Sequence, residues 1–103
     1  MSELLILEFE GVGEADYDKV NLILGIDSVT GEGDWPAGLI SHTAGPIEDG
    51  WRVIEVWESQ EDQEAAMGRL GPALQQSGVK PPRRAEWSKV KAHHTPRKAS
   101  SKV

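Results

Sequence analysis

The chain has no cysteine, which excludes a disulfide framework, a thiolate metal site and a cysteine nucleophile; an intracellular, cytoplasmic setting is expected. It also has no long apolar run. The stretch 4–7 in MSELLILEFE is far short of the ~20 residues that a membrane-spanning helix needs, and Glu3 stands where a secretory leader would carry positive charge. No membrane partner is expected. Bases are scarce over most of the sequence: residues 1–79 hold 16 acids and 3 bases, a balance of −13, whereas residues 80–103 hold 1 acid and 8 bases, a balance of +7. A basic end can bind nucleic acid, but the acidic body would repel the same polyanion and no aromatic residue follows Trp87. No nucleic-acid partner is expected, and the basic end reads as solvated or self-neutralising.

What is present fits one globular unit. With 103 residues, 38% hydrophobic and 27% charged, the chain has the size and composition of one core. Residues 1–91 are read as the folded domain. The remainder, AHHTPRKASSKV over 92–103, has nothing to bury and is expected to be a disordered basic tail.

Apolar patterning predicts strands over 4–10, 39–44, 51–58 and 84–91 and helices over 15–25 and from Ser59 to Gly78. Asp16 and Asp18 open the first helix and Gly25 closes it, while Ser59 followed by Gln60, Glu61 and Asp62 has the form of an N-cap and an acidic first turn. Gly71-Pro72 should kink or restart the second helix. The stretch 27–38, DSVTGEGDWPAG, shows no apolar period and reads as a loop. Its Trp35 is either part of a lid over a cavity mouth or packed under its own loop.

The order βαββαβ is that of an α+β, ferredoxin-like fold, a four-stranded antiparallel sheet with two helices on one face. The other face then needs a cover. Trp51, Trp57 and Trp87 supply more aromatic surface than a solvated sheet would carry, so dimerisation through the bare sheet face is expected.

Strand alternation puts Trp51, Val53, Glu55 and Trp57 on one face and Arg52, Ile54, Val56 and Glu58 on the other. If GPIEDG (45–50) is the hairpin turn and Ala44 pairs with Trp51, His42 faces Val53, Ile40 faces Glu55, and His42 and Glu55 are diagonal neighbours. A glutamate in an apolar cavity beside a histidine that it orients is an arrangement suited to general-base work. His42 and Glu55 are therefore the candidate catalytic residues, with Trp35 and Trp57 as candidate ligand-binding residues. In the alternative, Glu55 ties down Arg52, Arg69 or the tail, and His42 donates a hydrogen bond within the core. Neither GVGE nor GEGD has the spacing of a phosphate-cradling loop, and His93-His94 lacks the further ligands a metal requires. No metal and no cofactor are expected.

The run WRVIEVWESQEDQEAAMGRLGPAL, preceded by GLISHTAGP and by YDKVNLILG on the first helix, resembles the small actinobacterial members of the dimeric α+β barrel superfamily, which contains the antibiotic biosynthesis monooxygenase-like proteins. The resemblance covers residues 4 to about 91, and the EVWES junction carries most of it. It implies a homodimer whose sheets close into a barrel, with a ligand cavity between sheet and helices or inside the barrel. It also implies cofactor-independent monooxygenase-like or isomerase-like chemistry on a small aromatic or polyketide-type ligand, or the same barrel serving as a non-catalytic binding or accessory protein. Polyketide monooxygenases of the superfamily hold the ligand with polar and aromatic cavity residues, and the resemblance implies that role for Tyr17, a candidate ligand-binding residue, beside His42, Glu55 and Trp57. Haem-degrading members carry an iron-ligating histidine on a helix. Neither predicted helix here contains a histidine.

Overall fold

The computed structural model describes residues 2–96. The elements follow in the expected order: β1 (Glu3–Glu10), α1 (Glu14–Leu24), β2 (Leu39–Ile47), β3 (Gly50–Trp57), α2 (Gln60–Ser77) and β4 (Arg84–Lys89). The strands form one four-stranded sheet in the order β2-β3-β1-β4, with every pairing antiparallel. This is the ferredoxin-like α+β architecture. Helix boundaries follow the local chemistry. Ser59 Oγ accepts the Asp62 backbone N–H at 3.1 Å, and Gly25 and Gly78 end the two helices. Residues 92–96 are exposed and outside any helix or strand; the rest of the tail, 97–103, lies outside the described residues.

The expected restart of α2 at Gly71-Pro72 does not occur. The helix runs unbroken through Pro72. A proline removes the bond to the carbonyl four residues earlier. Here that residue, Gly68, is exposed, as is Pro72, so the unpaired carbonyl can be solvated.

The hairpin also differs from expectation. β2 continues to Ile47, Pro46 pairs with Trp51, and only Glu48 and Asp49 remain as the turn, with Asp49 at φ 74°. Pro46 is tolerated because β2 is an edge strand, where a missing N–H need not break a ladder. Gly50 is required by close approach: a Cβ there would stand 1.9 Å from the Phe9 carbonyl oxygen. Ala44 therefore lies opposite Val53 rather than Trp51, and His42 lies directly opposite Glu55. The shift is by two residues, so His42 keeps its face. Ile40 does not pair with Glu55. It is the extra residue of a bulge between Leu39, opposite Trp57, and Ser41, opposite Val56.

Alternation along the strands sorts the sheet into two unlike faces. Leu5, Leu7, Phe9, Trp51, Val53, Glu55, Trp57, Ala85 and Trp87 look toward the helices and line one cavity with them. The core lies there in two clusters, Leu5, Trp57 and Ala66 in one and Phe9, Trp51 and Val53 in the other, with Leu7 packed against both. Trp51, Trp57 and Trp87 thus sit on the covered face, and they are not the apolar surface of the bare one. That surface comes from Leu4, Ile6 and Ile54, which the register places on the opposite side; Val56 points the same way but is buried.

Candidate functional site

The site is built on the row where β2 and β3 face each other. Residues directly opposite on antiparallel strands bring their Cβ atoms to about 4.5–5.5 Å, and from there the His42 Nδ1 reaches Glu55 Oε2 at 3.0 Å. The other carboxylate oxygen, Oε1, accepts the Trp57 indole N–H at 2.9 Å. Trp57 is fully buried, so this donor is a fixed support. Glu55 itself is 8% exposed; a carboxylate so placed would be costly without donors on its oxygens, and here each oxygen has one. Two of the bases expected as alternative partners go elsewhere: Arg52 to Glu8 and Arg69 to Asp34 and the Leu24 carbonyl.

The second imidazole nitrogen completes the chain. Tyr17, from the inner face of α1, brings its hydroxyl to 2.6 Å from His42 Nε2. Burial pushes the Tyr17 phenol above its ordinary value, the nearby negative charges of Glu55 and Asp18 add to this, and Asn21 works against it. Tyr17 is therefore a neutral O–H at rest. It donates to Nε2, which makes the histidine the Nδ1–H tautomer, and that proton points to Glu55. The result is a continuous line, Tyr17 to His42 to Glu55 to Trp57, in which the carboxylate only accepts.

Aromatic rings frame this line. The Tyr17 and His42 rings are stacked with centroids 5.9 Å apart, and the Trp35 ring lies 5.1 Å from His42, tilted by 50°. Beside them opens a cavity of about 410 Å³ between the sheet and both helices, walled largely by apolar side chains, with His42, Tyr17, Glu55, Asn21 and Gln63 among the polar exceptions. Its volume is in the range of small-molecule sites, about 300–1,000 Å³. All five residues singled out in the sequence, Tyr17, Trp35, His42, Glu55 and Trp57, line this one cavity. His42 and Glu55 are direct partners rather than diagonal ones.

Trp35 is tied to its own loop and also reaches the cavity. Its indole N–H donates to the Gly31 carbonyl of its own loop at 2.7 Å, while its ring lines the cavity. Two residues of this region were not singled out. Arg69 on α2 donates to the carbonyls of Leu24 and Asp34, both at 2.9 Å, and so holds the loop that carries Trp35. Asn21, buried on α1, donates to Ser28 Oγ at 3.0 Å. Asn21 follows Tyr17 by one helical turn, so a polar residue on an otherwise apolar helix face was the available signal. Arg69 offered none, because its acceptors are backbone carbonyls.

No protein-family model matches the chain, and no curated protein matches it in sequence. Solved structures do match. A candidate antibiotic biosynthesis monooxygenase from Chloroflexus aurantiacus J-10-fl superposes with a TM-score of 0.64 at 16% identity, covering 92% of this chain and 98% of its own. Protein YJCS superposes at 0.62 with 13% identity over 88% of this chain and 100% of its own. A variant of SnoaB, a cofactor-independent oxygenase from Streptomyces nogalater, superposes at 0.54 with 13% identity over 94% of this chain and 98% of its own. At these identities the likeness is one of fold. The chain has the α+β fold of the antibiotic biosynthesis monooxygenase-like structures.

Proposed function

We propose that the cavity binds a small aromatic or polyketide-type molecule and that His42, oriented by Glu55, acts as a general base in cofactor-independent monooxygenase-like or isomerase-like chemistry. The observation that carries this reading is the buried His42–Glu55 pair at 3.0 Å on the wall of an apolar cavity. Loss of a proton from the ligand leaves an electron-rich phenolate or enolate, and the imidazolium that forms is balanced by the Glu55 carboxylate. Apolar walls keep water from competing with that pair. Reprotonation at another carbon completes an isomerisation. In an oxygenation, a carbon bearing two hydrogens becomes a carbonyl with molecular oxygen as oxidant, and the second oxygen atom leaves as water. The fold shared with SnoaB, a cofactor-independent oxygenase, supports this reading without carrying it.

A non-catalytic binding protein is the second reading. Every polar atom along the line from Tyr17 to Trp57 already has a partner, which is also how a satisfied core histidine would look. A homodimer belongs to both readings. The helix-free sheet face carries Leu4, Ile6 and Ile54, an apolar strip suited to a second copy.

The test is ligand-detected NMR of the His42 ring, assigned with His42→Ala, against a panel of phenols and quinones, followed by oxygen-uptake and isomerisation assays on those that bind. The catalytic reading predicts that binders shift the His42 signals and that His42→Ala removes turnover. Binding with no turnover in any assay favours the second reading, and a His42 indifferent to the whole panel rejects the site.

A further inference from the structure

His42 has no free ring nitrogen. Nδ1 is taken by Glu55 at 3.0 Å and Nε2 by the Tyr17 hydroxyl at 2.6 Å. A ligand entering the cavity therefore cannot reach the base while Tyr17 holds Nε2. The tyrosine oxygen is the outer end of the chain. Its one proton is given to Nε2, so what it presents to a ligand is lone pairs. Tyr17 offers a bare carbonyl oxygen no proton; a hydroxyl does find an acceptor in it.

Resting on the reading above that the cavity takes a small aromatic or polyketide-type molecule, we propose that Tyr17 is a catalytic residue. It touches the ligand's acidic phenolic or enolic hydroxyl and relays that proton to His42. In the step, the ligand O–H bond breaks and its proton goes to the Tyr17 oxygen as the Tyr17 O–H proton passes to Nε2. The products are a ligand anion, a neutral tyrosine and an imidazolium held against Glu55. Charge and protons balance, and no oxidant or reductant takes part.

Two further features agree with this assignment. Tyr17 resists ionising by itself, because burial and the acids Glu55 and Asp18 hold its phenol protonated; the relay needs a neutral tyrosine at rest. The rings of His42 and Trp51 lie 5.9 and 5.3 Å from that of Tyr17, so the hydroxyl is positioned by packing as well as by its hydrogen bond. The ligand class is correspondingly narrow, an apolar body bearing one hydroxyl acidic enough to give up its proton to an imidazole.

The experiment uses 4-nitrophenol, whose anion absorbs in the visible, at a pH where the free probe is mostly neutral. Wild-type protein is compared with Tyr17→Phe and His42→Ala, each checked for fold by circular dichroism. The relay predicts that the wild-type protein enriches the bound anion by about tenfold or more, equivalent to a shift of about one pKa unit. It predicts that Tyr17→Phe loses this enrichment as completely as His42→Ala does. Tyr17→Phe that still ionises the probe like wild type overturns the relay, since His42 then takes the proton directly. Wild-type protein that binds the probe without ionising it overturns the relay and leaves the binding reading intact; no binding at all removes both. The ¹⁵N spectrum of His42 in the unliganded wild-type protein provides a measurement independent of variant folding. The Nδ1–H tautomer is expected, and an Nε2–H tautomer overturns the assignment.

Discussion

Glu8 and Glu55 lie on neighbouring strands of one sheet and are equally hidden, 7% and 8% exposed, yet their surroundings could hardly differ more. Glu8, on the helix-free face, receives Arg52 at 2.8 and 3.0 Å and Arg84 at 2.9 Å, with Arg83 at 4.0 Å. The Arg52 guanidinium, joined by that of Arg84, holds the Glu8 carboxyl below the usual carboxylate range although burial works the other way. Guanidinium groups do not release protons in a protein, so this cluster has one charge state across the physiological range. Among the described residues, Glu55 has a histidine and an indole as its donors. Its neighbour can gain and lose a proton, and the cavity lies beside them. Burial of a carboxylate does not distinguish a brace from a site; the chemistry of its donors does.

The largest expected effect tests the support beneath Glu55. Trp57→Ala removes a fully buried ring together with the donor to Oε1, and a loss of about 3–5 kcal/mol is expected in chemical denaturation. Next come the two carboxylates compared by isosteric change. Glu55→Gln should leave the fold nearly intact and lower any proton-transfer activity by about 10²-fold or more. Glu8→Gln should do the reverse, lowering the denaturation midpoint while ligand-induced changes at His42 persist. Equal effects of the two substitutions on both readouts would break the distinction.

Titration sharpens it further. Because the folded-state value of Glu8 is depressed, its contribution to stability is present above the ordinary carboxylate value and lost as pH falls through the depressed one. That loss should shrink with added salt, because the arginines are partly exposed and their pairing with Glu8 is screened. Tyr17 runs the opposite way. Its value is raised from 10.0, so its contribution is full below that pH and lost as pH rises through the raised value. Alkaline melts should therefore show a loss in wild type that Tyr17→Phe lacks. The smallest effect is expected at Arg69. Arg69→Ala frees the Trp35 loop from α2 and should raise ligand dissociation severalfold in stopped-flow measurements, with little change in melting temperature.

Much of this was legible in the residues because strand alternation is insensitive to small errors. Trp51, Val53, Glu55 and Trp57 share a face whatever the turn length, and a register error of two residues left His42 on the same side. The register itself was not legible. It depends on Pro46 being accepted at a sheet edge and on Asp49 taking a positive φ, and both are properties of the assembled hairpin. The continuity of α2 through Pro72 depends likewise on which side of the helix meets water. Tyr17 could be named as a cavity residue from the family resemblance, but its 2.6 Å approach to His42 is a contact between a helix and a sheet that no local pattern encodes.

The bulge at Ile40 has a consequence of its own. Leu39 and His42 are three apart, and in an unbroken strand an odd spacing sends side chains to opposite sides. Both line the cavity because one surplus residue resets the alternation between them. Ile40 thus works as a phase shifter, the surplus residue that lets two side chains three apart share one wall. Deleting it would leave Leu39 two residues from His42 and still on the pocket side, so the sheet absorbs a change in its reading frame here without a change in its chemistry.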